Sequence, residues 1–83
     1  MDNNRNQRGR KPKAYSQADR LARMMRMLAS RACAIQELVQ DFGVSSRQVR
    51  RDLEEIEAEG HPLTSSDDAG EKQWQLPLGY KGL

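Results

Sequence analysis

The sequence predicts one small, mainly α-helical domain in which three helices are followed by a small β-hairpin. Three observations support this prediction. Apolar residues recur at helical spacing over three successive segments. Serine, glycine and proline stand where these segments begin and end, as helix boundaries require. After Pro62 the spacing changes to the alternation of a strand. The length of 83 residues allows one modest hydrophobic core.

The first helix is predicted over residues 16–31. Ser16 is a suitable N-cap, and Asp19 follows it at the spacing of a capping box. Met27 lies about 110° from the apolar stripe of this helix, so it either packs under another element or faces a partner. The stripe itself, at spacings of three and four residues, consists of Leu21, Met24, Met25 and Leu28.

Two further helices are predicted over residues 34–42 and 45–59. Gly43 ends the first of them, since glycine tolerates the left-handed backbone of a helix C-terminus. Ser45 is the N-cap of the second, and Gln48 completes a capping box. The apolar faces consist of Ile35, Leu38, Val39 and Phe42 in one helix and Val49, Leu53 and Ile56 in the other, which Gly60 and Pro62 stop.

Two short strands are predicted over residues 63–66 and 72–76, joined by the turn residues 67–70. A two-stranded hairpin is marginal by itself, so Trp74 and Leu76 are expected to pack against the helices. Three helices followed by a two-stranded wing form a winged helix-turn-helix.

Charge is distributed unevenly along the chain, whose net charge is +2. Residues 1–13 hold five cations and one anion, whereas the remaining 70 residues hold nine cations and eleven anions. Residues 1–14 are therefore interpreted as a disordered basic arm, residues 15–76 as the domain and residues 77–83 as a C-terminal tail or linker. The arm and a local patch, rather than the whole surface, are expected to meet a polyanion.

Several classes of function are disfavoured by what the sequence lacks. A single cysteine, Cys33, excludes an internal disulfide, and with the single His61 it argues against a zinc site. Cys33 is expected to be inert and His61 to have no partner, and no metal or cofactor is expected. Without a membrane-length apolar run or a secretory signal, a cytoplasmic protein with no membrane partner is expected. No nucleophile with a base and no phosphate-binding glycine loop is visible, so the protein is predicted not to be an enzyme.

The third helix carries cations opposite its apolar face. On a helical wheel Arg47 and Arg51 lie almost opposite that face, with Gln48 and Arg50 beside them. A helix in the major groove reads bases with its first turns, where arginine suits guanine and glutamine suits adenine. We assign Arg47 and Gln48 to base edges, and Arg50 and Arg51 to bases or phosphates. Phosphate contacts near the positive end of the helix dipole are assigned to Ser45 and Ser46.

Two alternatives remain open for this helix. Arg50 and Arg51 each precede a glutamate by four residues, so they could form surface ion pairs worth about 0.3–0.5 kcal/mol each. The rear of the helix is acidic and is expected to be a solvated face pointing away from DNA. A basic protein partner on this acidic end is the alternative, which would make the domain a protein–protein interaction module. The acidic residues are Asp52, Glu54, Glu55, Glu57 and Glu59.

The amino-terminal arm contains Arg8-Gly9-Arg10-Lys11-Pro12, which resembles the core of an AT-hook. Such a segment can lie in a narrow A·T minor groove, where glycine permits close approach. Arg8, Arg10 and Lys11 are therefore candidate DNA-binding residues. Unspecific attraction to phosphates and a simple solubilising role remain alternatives.

The strongest motif is Val44-Ser45-Ser46-Arg47-Gln48-Val49-Arg50-Arg51-Asp52-Leu53-Glu54, in which a Val-Ser turn leads into a helix with a central Arg-Asp-Leu. With Gly60-His61-Pro62-Leu63 and Trp74-Gln75-Leu76 it resembles the N-terminal winged helix-turn-helix domain of DeoR-type and WYL-domain bacterial transcriptional regulators. The resemblance covers residues 21–76. It implies sequence-specific binding of double-stranded DNA by a repressor that reads the major groove with helix 45–59. It also implies attachment to a C-terminal effector-sensing domain. A homodimer or a second module is expected because one domain reads only a half-site.

Two positions depart from the family pattern. Ala34 stands where a Ser or Thr often caps the second helix, so the start of this helix is expected to fray. Asp67 and Asp68 stand where many wings carry Arg or Lys. Because phosphates repel acidic groups, the wing is not expected to be a major DNA contact.

Overall fold

The computed structural model describes residues 16–82, which form three helices and a three-stranded antiparallel sheet. This architecture confirms the predicted winged helix-turn-helix. The helices are α1 (Gln17–Leu28), α2 (Ile35–Phe42) and α3 (Ser46–Ala58), and the strands are β1 (Cys33–Ala34), β2 (Thr64–Asp68) and β3 (Glu71–Gln75).

Helix α1 begins where the sequence predicts and ends three residues earlier. The Ser16 hydroxyl accepts a hydrogen bond from the Asp19 amide at 3.2 Å, which confirms Ser16 as the N-cap. At the other end the Ser30 hydroxyl donates to the Met27 carbonyl at 2.8 Å. The same carbonyl also accepts from the backbone amides of Ser30 and Arg31, both at 3.0 Å, which closes the last turn of the helix.

Strand β1 is an element that the sequence did not predict. It pairs with β3 in the order β1-β3-β2, with Cys33 opposite Trp74 and Ala34 opposite Gln73. Two residues are too few to show the alternation that identifies a strand. The predicted two-stranded wing is therefore extended by a third strand between α1 and α2.

The start of α2 is stabilised in a way that replaces the missing Ser or Thr cap. The Glu37 carboxylate accepts a hydrogen bond from the Ala34 amide at 3.0 Å and another from the Arg31 guanidinium at 2.6 Å. These two bonds lower the pKa of Glu37, the backbone bond having the larger effect. Glu37 thus bonds back to the cap amide, an acidic alternative to a Ser or Thr cap that was not predicted from the sequence.

The turn of the wing is shorter than predicted. Only Ala69 and Gly70 connect β2 to β3, and both have positive φ, 53° and 82°. Positive φ at both central residues is the geometry of a type I′ hairpin turn. Asp67 and Asp68 consequently belong to β2, where they lie opposite Lys72 and Glu71.

The core draws apolar residues from all three helices and from the sheet. Trp74 packs against this core as a half-buried residue, as expected for the cover of the wing. Cys33 is fully buried and burial raises the pKa of its thiol, which agrees with an inert role. The buried apolar residues are Met24, Leu28, Ala29, Cys33, Ala34, Leu38, Val49, Leu53, Ile56 and Leu76.

The segment after β3 returns to the end of α1. The Leu76 amide donates to the Leu28 carbonyl at 2.9 Å and the Gly79 amide to the Ala29 carbonyl at 3.0 Å. The Tyr80 hydroxyl lies 2.8 Å from the Nδ1 atom of His61, and the two rings meet edge to face. His61 therefore has a partner, contrary to expectation, because nineteen residues separate the two rings in sequence.

Candidate nucleic-acid interface

The turn between α2 and α3 fixes the start of the candidate interface. Gly43 ends α2 with a φ of 65°. This is the left-handed conformation expected of a glycine at the end of a helix. The Ser45 hydroxyl then accepts a hydrogen bond from the Gln48 amide at 3.1 Å, so Ser45 is the N-cap of α3, as predicted. Ser45 and Ser46 are both exposed at this end of the helix.

Three arginines project from the first half of α3 into solvent. Arg47, Arg50 and Arg51 are all exposed, and within residues 16–82 none of them takes part in an ion pair. The alternative pairs with Glu54 and Glu55 do not form. Ser46, Glu54 and the three arginines line one open depression of about 500 Å³. The first half of α3 thus presents a cationic surface.

Gln48 differs from these arginines because its side chain is half-buried and bonded within the domain. Its Nε2 atom donates to the Oδ1 atom of Asp52 at 2.9 Å. The predicted capping box is therefore only half formed: the backbone amide of Gln48 binds Ser45, but its side chain points to Asp52 instead of the cap.

Asp52 is the one buried charged residue among those described, with a side chain that is 1% exposed. Arg20 of α1 reaches it with two hydrogen bonds, Nε to Oδ2 at 2.6 Å and Nη2 to Oδ1 at 3.0 Å. The hydrogen bond to Asp52 raises the pKa of Arg20. The prediction that Asp52 belongs to a solvated face was wrong.

Helical spacing contained the signal for this buried pair. Asp52 comes three residues after Val49 and four before Ile56, and Arg20 comes four residues before Met24. Residues at these spacings share a face of a helix, so both charges belong to inner faces. The adjacent run of acidic residues obscured the position of Asp52.

The second half of α3 and the wing are acidic where they meet solvent. The four glutamates of the predicted acidic end, at positions 54, 55, 57 and 59, are exposed. In the wing, Asp67, Asp68 and Glu71 are exposed, while the ammonium of Lys72 lies 5.1 Å from the centre of the Trp74 ring. Negative charge thus follows the cationic first half of α3 in the same helix.

The start of α1 lies beside the first half of α3. Gln17 and Arg20 line the same surface groove, of about 540 Å³, as Gln48 and Arg51. The basic arm joins the domain at this end of α1. The candidate residues Arg8, Arg10 and Lys11 themselves lie outside the described residues.

Metal-ligand clusters and membrane-spanning helices are both absent from residues 16–82. No group of three or more His, Cys, Asp or Glu residues there is arranged to hold a metal ion. None of the described helices is long and apolar enough to cross a membrane.

Comparison with known proteins identifies the domain. The DeoR-like helix-turn-helix family matches residues 20–64, more than half of the chain. The match runs from Arg20 in α1 to Thr64 at the start of β2, and it includes the whole of α2 and α3. A search of curated proteins and a search of solved structures returned no match. The chain belongs to the DeoR-like helix-turn-helix family, and its domain is a non-enzymatic DNA-binding domain of a transcriptional regulator.

Proposed function

We propose that this domain binds specific sequences of double-stranded DNA by inserting the first half of α3 into the major groove. The observation that carries the proposal is the set of three exposed arginines, Arg47, Arg50 and Arg51, without ion pairs among the described residues. Helix-turn-helix domains contact base edges with the N-terminal residues of their second motif helix. In this chain that helix is α3.

The charges around α3 favour insertion of its N-terminal end. The arginines occupy the first two turns, whereas the exposed glutamates follow from Glu54 onward. If α3 lay flat along the duplex, these glutamates would approach phosphates and be repelled. With the N-terminal end in the groove, the acidic end points away from the DNA. The acidic strand β2 makes the wing a minor contact at most.

The proposed contacts come from the first half of α3 and from the basic arm. Arg47 and Gln48 face base edges, and Arg50 and Arg51 contact bases or phosphates. Ser45 and Ser46 face phosphates, because the amide groups of the first helical turn and the helix dipole attract anions there. The basic arm, with Arg8, Arg10 and Lys11, adds phosphate or minor-groove contacts next to the start of α1.

We further propose that the regulator represses transcription by occupying its site, and that it binds as a homodimer or through a second module. A single helix-turn-helix domain reads only a half-site, so useful specificity requires a second one.

Selection of binding sites from a random duplex library tests the proposal. A recurrent motif of a few base pairs is expected, and a palindrome would support the dimer. A selection without enrichment, together with a defined protein complex at the acidic end of α3, would contradict it. Placing the selected motif over a reporter promoter tests repression, because wild-type protein should lower expression and an Arg47→Ala variant should not.

A further inference from the structure

We propose that Asp52, although buried, determines the base preference of the domain by fixing the side-chain amide of Gln48. The inference rests on the proposed function, in which Gln48 faces a base edge. Asp52 is a positioning residue in this account, since a side chain that is 1% exposed does not itself reach DNA.

The geometry places the Asp52 carboxylate at the centre of a three-residue network. One oxygen, Oδ2, accepts from Nε of Arg20 at 2.6 Å. The other, Oδ1, accepts both from Nη2 of Arg20 at 3.0 Å and from Nε2 of Gln48 at 2.9 Å. The planar guanidinium holds both oxygens, so the carboxylate cannot rotate without breaking a bond to Arg20.

The Asp52 carboxylate restricts the orientation of the Gln48 side-chain amide. An ionised carboxylate only accepts hydrogen bonds, whereas a glutamine amide has a donor end and an acceptor end. The NH₂ group of Gln48 must therefore face Asp52, and its carbonyl oxygen Oε1 must face away. A glutamine without such a neighbour can turn its amide by 180° and present either end.

The fixed orientation of the Gln48 amide determines which bases it can bond in the major groove. In the major groove adenine offers the N6 amino group as a donor and cytosine offers N4, whereas guanine O6 and thymine O4 are acceptors. An Oε1 atom directed away from Asp52 favours a base that donates. The second hydrogen of Nε2 remains available for adenine N7. Asp52 thus favours adenine first and cytosine second at the position that Gln48 reads.

Four proteins and four duplexes test this inference. The four duplexes differ at one base pair only, the position at which Gln48→Ala abolishes the preference between bases. Dissociation constants are measured at one salt concentration. Wild type is expected to prefer adenine over guanine and thymine by about fivefold or more. Asp52→Asn offers Gln48 both a donor and an acceptor, so this preference should fall to within about twofold. Ile56→Val is the matched control for lost packing: it trims a buried side chain of α3, leaves Arg20, Asp52 and Gln48 in place, and should keep the preference.

The outcomes separate this inference from the proposed function. If Gln48→Ala abolishes the preference but Asp52→Asn retains it, Asp52 does not act through Gln48 and the inference fails while the function stands. If Ile56→Val relaxes the preference as much as Asp52→Asn, the effect is a general loss of packing and the inference also fails. If Gln48→Ala changes the base preference at no position, Gln48 does not read a base. The assignment of Gln48 and this inference then both fail.

A measurement on the wild-type protein covers the case in which Asp52→Asn does not fold. The side-chain amide of Gln48 is observed by NMR beside those of Gln36 and Gln40, which are exposed on α2. Slower hydrogen exchange and a shifted resonance are expected for Gln48 alone. Equal exchange at all three glutamines would overturn the inference, because the amide would then not be held.

Discussion

Arg20 in α1 and Asp52 in α3 are joined by two hydrogen bonds, of 2.6 and 3.0 Å, although 32 residues separate them in sequence. Their side chains are 12% and 1% exposed. The pair joins the two helices on the side of α3 next to Arg51, since Arg20, Gln48 and Arg51 line one surface groove. It therefore helps to set the angle at which the arginines of α3 are presented to DNA.

The first prediction concerns this pair. Replacing Arg20 by Met should lower the free energy of unfolding by about 3–5 kcal/mol, because a buried carboxylate loses its partner. Urea denaturation followed by the fluorescence of Trp74, the single tryptophan, measures the change. The same replacement at Arg26, which is exposed on the same helix, should cost less than about 0.5 kcal/mol. Equal losses in the two variants would show that the ion pair does not stabilise the domain.

The second prediction is a dependence of stability on pH that originates at Glu37. Its pKa lies below the ordinary value of 4.5 in the folded state because it accepts hydrogen bonds from the Ala34 amide and Arg31. Between the folded and unfolded pKa values the unfolded chain binds more protons, so stability must rise with pH. The contribution is present above about pH 4.5 and is lost as pH falls through the folded pKa.

Thermal melts of wild type and Glu37→Gln between pH 3 and pH 7 measure this contribution. The two proteins should differ most near neutral pH and converge in acid. A difference that stays constant across this range would mean that ionised Glu37 is not what stabilises the start of α2.

The third prediction concerns the turn of the wing. Ala69 has a φ of 53°, a left-handed conformation that costs an L-residue other than Asn, Asp or Gly about 1–2 kcal/mol. Ala69→Asn creates the Asn-Gly sequence that type I′ turns prefer, and it should stabilise the domain by about 0.5–1 kcal/mol. Ala22→Asn, in the exposed part of α1, should instead destabilise it by about 0.5 kcal/mol. Destabilisation by both substitutions would rule out this turn geometry.

Local signals in the sequence predicted the helices, their serine caps and the glycine that ends α2. These features depend on residues within one or two turns of each other. Strand β1, the bond between Tyr80 and His61 and the pair of Arg20 with Asp52 depend on contacts across 19 to 41 residues. The exposure of Arg47, Arg50 and Arg51 was predictable from the helical period. The bond from Gln48 to Asp52 follows from the same period once Asp52 is placed on the inner face, a position that the adjacent acidic residues obscured.

The fourth prediction concerns the basic arm. Deleting residues 1–13 removes five cations and one anion that precede α1 in the sequence. The slope of log K against log salt should become less steep by about 0.9 for each phosphate contact that the arm makes. Titrations at several salt concentrations measure the slope for the full chain and the truncated one. An unchanged slope would mean that the arm does not neutralise phosphates.

The most direct test of the account is a fluorescence anisotropy titration of the selected duplex with wild type, Arg47→Ala and Arg51→Ala. Lys81→Ala, which removes an exposed cation outside α3, is the control for net charge. Arg47→Ala should weaken binding by about tenfold or more and relax specificity at one base pair. Arg51→Ala should also weaken binding, and Lys81→Ala should bind nearly as wild type does. If both arginine variants bind the selected duplex with wild-type affinity, α3 does not read DNA with this face.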